Sequence, residues 1–174
     1  MKQTSLKSFG NLITELDQSN ATARKVSIIS EFIIDIDPRD GAWVLILLMG
    51  NHNKRLITGR RLREILQEAS KMPRWLFDDC FTQVGDSAET ISLLWPQLKN
   101  EIRSIGPDES SDLTFIIDGI SQCSPLHWWM ETLLPIIKKQ TETIQSQLIL
   151  ELWKRLPDGE HYLVNKLMTG GFRI

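Results

Sequence analysis

Residues 58–70 read Thr-Gly-Arg-Arg-Leu-Arg-Glu-Ile-Leu-Gln-Glu-Ala-Ser, and this stretch decides the fold class. Thr58 is a favoured N-cap residue, because its side-chain oxygen can accept a backbone N–H of the first helical turn. Leu62, Ile65, Leu66 and Ala69 then follow at the spacing of one helix face. The stretch therefore predicts an amphipathic α-helix with a capped start.

Similar patterns recur on both sides of this helix. Helix starts are predicted at Ser19 or Asn20, at Asp37 with Pro38, at Pro73, at Asp86 and at Thr141. We expect Pro96 to end the helix that Asp86 opens, and Pro135 to kink or break a helix near residues 126–139. No alternating pattern is long enough for a sheet. The sequence predicts an all-α, compact multi-helix domain.

The chain of 174 residues is predicted to form a single domain, residues 1–174. The polar segment 107–112 is a candidate linker, which gives halves of roughly 1–106 and 113–174. Residues 55–59, Arg-Leu-Ile-Thr-Gly, also resemble residues 166–170, Lys-Leu-Met-Thr-Gly. This likeness suggests two pseudo-symmetric halves from an internal duplication, although leucines coincide easily by chance.

Charge is distributed unevenly along a chain whose net charge is only −2. Residues 51–75 contain seven basic and two acidic residues, whereas residues 76–114 contain two basic and eight acidic ones. A local field of one sign argues for a charged partner, with an ordinary solvated helix face as the alternative. No 18-residue apolar run or secretory leader is present, so we predict a cytoplasmic protein without membrane contact.

Candidates for catalysis or metal binding are weak. Asp35, Asp37 and Asp40 lack the spacing and the terminal Glu of a calcium loop, and helix capping explains them better. The three histidines have no partner at ligand spacing, and no nucleophile elbow or P-loop is present. Trp128-Trp129 could stack bases, but at least one of the two is expected in the core. We therefore expect binding rather than catalysis from this chain alone.

Residues 54–61, Lys-Arg-Leu-Ile-Thr-Gly-Arg-Arg, are the most informative for function. A capped helix start with a glycine leaves N–H groups accessible to an anion, and flanking basic side chains add charge-assisted hydrogen bonds. An ordinary cap beside surface arginines is the alternative. The candidate phosphate-binding residues of the first loop are Lys54, Arg55, Thr58, Gly59, Arg60 and Arg61, and the similar second loop adds Lys166, Thr169 and Gly170.

Two further segments resemble ATP-dependent DNA ligases. Residues 73–80, Pro-Arg-Trp-Leu-Phe-Asp-Asp-Cys, followed by 84–90, Val-Gly-Asp-Ser-Ala-Glu-Thr, are similar to that family's GD-x-AE element. Residues 163–174, ending Thr-Gly-Gly-Phe-Arg-Ile, resemble its [ST]-G-x-[LF]-R-[IVL]-G signature, without the final glycine. The resemblance covers essentially the whole chain and is closest to the bacterial members.

The resemblance implies an N-terminal, all-helical DNA-binding domain that clasps nicked duplex DNA from the minor-groove side. It implies that Gly170, Gly171 and Arg173 approach phosphates near the nick, which is sealed during DNA replication, repair or recombination. The K-x-D-G motif is missing, so we expect a piece of a larger enzyme that is itself non-catalytic. The parent enzyme would use ATP and Mg²⁺ in its adenylation and OB domains, whereas this piece would bind no cofactor. It would be nucleoid-associated when bound to DNA. A helical protein-interaction module with a tryptophan-rich surface is the alternative function.

Overall fold

A computed structural model describes residues 4–50, 55–102 and 124–172 of the chain. These three ranges contain nine helices and no strand, which confirms the all-α prediction for the described part. The helices are α1 (Leu6–Asp17), α2 (Thr22–Ile34), α3 (Pro38–Leu48), α4 (Gly59–Ser70), α5 (Arg74–Val84), α6 (Ser87–Leu98), α7 (three continuous segments, Leu126–Trp128, Trp129–Leu133 and Leu134–Lys138), α8 (Glu142–Arg155) and α9 (His161–Thr169).

Local capping explains where several helices begin. The side chains of Asp37, Thr58 and Asp86 accept N–H groups in the first turns of α3, α4 and α6, as their sequence positions predict. The prediction of Ser19 or Asn20 as a cap is wrong. Helix α2 begins at Thr22, and Ala21 stands at its N-cap position without a side-chain hydrogen bond.

Two prolines lie inside helices that they were expected to end or distort. Pro96 lies within α6, which continues for two further residues to Leu98, so the expectation that it closes the helix is wrong. Pro96 has no N–H to donate to the carbonyl of Ser92 four residues before it, and the helix ends only two residues later. Pro135 follows the π-helical segment of α7, in which the N–H of Leu134 reaches the carbonyl of Trp129. The wider turn lets the helix pass through the proline without breaking.

One hydrophobic core combines residues from both ends of the chain. Helix α9 packs against α6, and α8 contacts both α4 and α7. Trp95 and Trp153 meet edge to face in this core, with ring centroids 5.6 Å apart. The candidate linker 107–112 lies outside the described residues, so the division into two halves stays a prediction.

The tryptophans are mainly internal. Trp95, Trp129 and Trp153 are almost completely buried, whereas Trp128 and Trp43 are half-buried against the core. Trp129 thus confirms that at least one member of the Trp128-Trp129 pair belongs to the core. Trp75 is the tryptophan with a largely exposed side chain, at 66%.

Asp40 has a structural role that its sequence position did not reveal. Its fully buried carboxylate accepts the backbone N–H groups of Thr4 and His127, each at 2.8 Å. The Nδ1 atom of His127 also lies 2.8 Å from the same carboxylate. Asp40 therefore fastens the segment before α1 and the start of α7 to helix α3.

Candidate functional site

The two Thr-Gly loops, which are similar in sequence, lie against each other in the fold. The backbone N–H groups of Leu56 and Ile57 donate to the carbonyl of Met168, at 2.9 and 3.3 Å. Met168 is in the last turn of α9, one residue before Thr169. Segments more than a hundred positions apart therefore form a single structural unit.

A cleft of about 420 Å³ opens beside this unit. Five of the predicted site residues line it together: Arg55, Gly59, Lys166, Thr169 and Gly171. Thr58, Arg60, Arg61 and Gly170 are not among the lining residues. Lys54 and Arg173 lie outside the described residues, so their predicted roles are untested.

The N-termini of α4 and α6 meet at the cleft. Thr58 caps α4 by accepting the N–H of Arg61 at 3.1 Å, and Asp86 caps α6 by accepting the N–H of Glu89 at 3.0 Å. Gly59 is required for this approach, because a Cβ atom built on it would lie 2.7 Å from Ser87 Oγ and 3.0 Å from Ser87 Cβ. Two helix N-termini with their positive partial charges thus border the same cleft.

The second loop is shaped by the C-terminus of α9. Gly170 adopts the left-handed conformation with φ 67°, and its N–H donates to the carbonyl of Lys166 at 2.9 Å. Glycine is favoured there because a side chain would be strained. Phe172 then contacts the core, with its ring centroid 5.9 Å from that of Phe9. The loop is therefore held on both sides of Gly171.

Lys166 reaches into the cleft but already has a partner. Its Nζ atom donates to Asp86 Oδ2 at 2.6 Å, and its side chain is only 13% exposed. Burial opposes ionisation of Asp86, but the hydrogen bonds from Lys166 and from the backbone of Glu89 outweigh it and lower the pKa of Asp86 below its ordinary value. Lys166 also lies 5.5 Å from the ring centroid of Tyr162.

Arg60 and Arg61 point along α4 rather than into the cleft. The Nε atom of Arg60 donates to Glu64 at 3.0 Å on an exposed helix face. Arg61 lies 3.5 Å from Glu64 and 3.4 Å from Glu68, and it donates to the hydroxyl of Ser146 at 3.0 Å. Both guanidinium groups thus have partners of their own, so a phosphate would compete with them.

Arg55 is an exposed basic side chain on the cleft wall, and no ion pair with it occurs among residues 4–50, 55–102 and 124–172. Its backbone carbonyl accepts the Nζ atom of Lys138 at 3.0 Å. The end of α7 therefore supports the first loop and brings a second cation next to it.

A buried polar network holds α9, and with it the second loop, in place. Trp153 Nε1 donates to Asn165 Oδ1 at 2.8 Å, and the amide nitrogen of Asn165 donates to the carbonyl of Ala88 in α6 at 3.5 Å. The Nε2–H group of His161 donates to the carbonyl of Trp153 at 2.8 Å. Burial lowers the pKa of His161, so the neutral ring is favoured.

Sequence reasoning missed several residues of the cleft wall. Asp86 was assigned to a helix cap and to the GD-x-AE element but not to the site, and Ser87, Tyr162 and Phe172 were given no place in the site either. The GD-x-AE pattern at residues 85–89 was the signal that could have indicated Asp86 and Ser87. Within the described ranges, no cluster of histidine, cysteine or acidic side chains is suited to hold a metal ion. No helix there is long and apolar enough to cross a membrane.

Comparison with known proteins gives one family. The family model described as DNA ligase N terminus matches residues 5–174, almost the entire chain. Neither the curated proteins nor the solved structures contain a significant match. The match agrees with the resemblance in the GD-x-AE and Thr-Gly-Gly-Phe-Arg elements. The chain belongs to the family of DNA ligase N-terminal domains and so has a role in DNA ligase function.

Proposed function

We propose that this domain binds nicked duplex DNA without sequence preference and positions the nick for sealing by an ATP-dependent DNA ligase. The sealing chemistry, with ATP and Mg²⁺, would belong to adenylation and OB domains of the same parent chain. DNA replication, repair and recombination are the processes that such a ligase would serve, in the cytoplasm and on the nucleoid.

One observation carries the proposal: the two Thr-Gly loops meet at the carbonyl of Met168 and line one cleft. The cleft presents the helix start at Gly59, the exposed Arg55 and the glycine-containing loop at Gly171. Accessible N–H groups and basic side chains are the groups that contact phosphate oxygens. Two such loops side by side suit a ligand with repeated phosphates, such as a DNA backbone.

Backbone contacts carry no base information, so the binding should be indifferent to sequence and sensitive to salt. The experiment is a fluorescence anisotropy titration of two nicked duplexes of unrelated sequence over a range of salt concentrations. We expect equal affinities and a linear fall of log K with log salt, with a slope near −0.9 for each neutralised phosphate. A strong preference for one sequence, or an affinity independent of salt, would contradict the proposal.

The interaction-module alternative was based on a tryptophan-rich surface. Five of the six tryptophans lie in the core or half-buried against it, and Trp75 alone is mostly exposed. The tryptophans therefore provide little surface for a protein partner. The salt titration separates the two functions as well, because an apolar interface responds weakly to salt.

A further inference from the structure

The Asp86 carboxylate contacts two anion-binding groups of the cleft at the same time. Its Oδ1 atom accepts the N–H of Glu89 in the first turn of α6, and its Oδ2 atom accepts the ammonium group of Lys166 at 2.6 Å. A helix N-terminus and a lysine together are the groups that commonly bind a phosphate. The carboxylate thus makes the contacts that a phosphate oxygen would make at this place.

We infer that Asp86 competes with the DNA phosphate for Lys166. When DNA enters the cleft, the phosphate must draw Lys166 away from Asp86. This inference rests on the proposed function and adds a regulatory contact to the same site. The pair keeps a largely buried ammonium group neutralised while no DNA is bound, since an unpaired charge at this depth would be unfavourable. The pair thereby stabilises the free protein and weakens the binding of DNA.

Gly171 leaves room for Lys166 to change partners. A Cβ atom on Gly171 would lie 3.7 Å from Lys166 Cδ and 3.8 Å from its Nζ, so the lysine side chain passes directly beside this glycine. Because no side chain stands there, the flexible lysine stem can turn toward the part of the cleft that Gly171 lines. The ammonium group needs only rotations of the lysine side chain for this exchange.

The Asp86→Asn variant isolates the competition. Asn is as good an N-cap residue as Asp, and its amide oxygen can still accept the N–H of Glu89. The variant lacks the negative charge that holds Lys166, so we expect its affinity for a nicked duplex to rise by up to about fivefold, the range for a partly exposed ion pair. Asp86→Ser keeps a capping oxygen without the charge and should behave alike.

Two controls separate competition from general repulsion. Asp17 lines the same cleft, and no hydrogen bond or ion pair joins it to Lys166 in the described part of the chain. Asp17→Asn also removes one negative charge from the cleft, and it should raise the affinity clearly less than Asp86→Asn does. In a Lys166→Gln background the Asp86→Asn change should raise the affinity no more than Asp17→Asn does, because the lysine for which Asp86 competes is absent.

The test is an anisotropy titration of one nicked duplex with the wild-type chain and these variants, with thermal unfolding to verify that each is folded. Tighter binding by Asp86→Asn, dependent on Lys166, supports the inference. Unchanged or weaker binding, an equal gain in Asp17→Asn, or a gain of the same size without Lys166 overturns it. If the wild-type chain shows no salt-dependent DNA binding, the proposed function fails and the inference with it. If the wild type binds and Asp86→Asn does not bind more tightly, only the inference fails.

Discussion

The contact between Gly59 and Ser87 gives a prediction that can be worked out from distances. In Gly59→Ala, the new Cβ atom would start 2.7 Å from Ser87 Oγ and 3.0 Å from Ser87 Cβ, whereas ordinary contacts begin at 3.4 Å. The hydroxyl can rotate away, but Ser87 Cβ is fixed to the backbone of α6. The starts of α4 and α6 must therefore separate by about 0.4 Å, the difference between 3.0 and 3.4 Å.

The expected loss of stability follows from two opposing effects. Inserting a methyl group into a packed contact costs about 1–3 kcal/mol. Replacing a helical glycine by alanine gains up to about 0.5–1 kcal/mol, because alanine has less backbone freedom to lose. We expect a net decrease in the free energy of unfolding of about 1–2 kcal/mol, and a Tm lower by roughly 2–8 °C for a chain of this size.

Urea denaturation of the Gly59→Ala variant measures this loss, and Gly41→Ala is the matched control. Gly41 is a helical glycine in α3 whose added Cβ would meet no atom closer than 3.7 Å. The control should therefore be neutral or slightly stabilising. Combining Gly59→Ala with Ser87→Gly should restore part of the lost stability, since the obstructing atoms are gone. If Gly59→Ala is as stable as the wild type, the close approach of α4 and α6 is refuted.

Three further predictions concern charge and burial. Replacing Arg60 and Arg61 together by Ala should weaken DNA binding and flatten the salt slope by about one unit per lost phosphate contact, whereas an unchanged slope in anisotropy titrations would remove them from the interface. Asp40→Ala should lower the free energy of unfolding by about 2–5 kcal/mol in urea, because buried N–H groups lose their acceptor; a loss below 1 kcal/mol would contradict this. The pKa of His161 is lowered in the folded chain, so its contribution to the free energy of unfolding is complete above its ordinary pKa of 6.5 and is lost as the pH falls. The free energy of unfolding in urea should therefore be lower at about pH 5.5 than at about pH 7.5, and this difference should be smaller in His161→Gln.

Local features of the fold were predictable because their causes lie within a few residues. The caps at Asp37, Thr58 and Asp86 were predicted correctly, since an N-cap side chain bonds to its own first turn. The start of α2 was not, because no side chain caps it and Ala21 has no capping preference. In α2 Val26 is 57% exposed, whereas Ile28 two residues later is buried. Tertiary packing decides which side of this helix faces the core.

The candidate site was only partly predictable from the sequence. The likeness of the two Thr-Gly loops indicated related roles, but the hydrogen bonds from Leu56 and Ile57 to Met168 depend on how α4, α6 and α9 pack. The pairing of Lys166 with Asp86 joins residues 80 positions apart, and no local pattern indicates it. Sequence reasoning therefore identified basic residues without showing which of them already have acidic partners.

The central claim is that the two Thr-Gly loops form one DNA-contacting surface. The most direct test is a titration of the ¹⁵N-labelled chain with a nicked duplex, followed by NMR of the backbone amides. We predict that the largest shifts fall together on both loops, at Leu56, Gly59, Thr169 and Gly171, and that added salt reverses them. Shifts confined to one loop, or concentrated on a remote surface such as the exposed Ile34 at the end of α2, would contradict the claim.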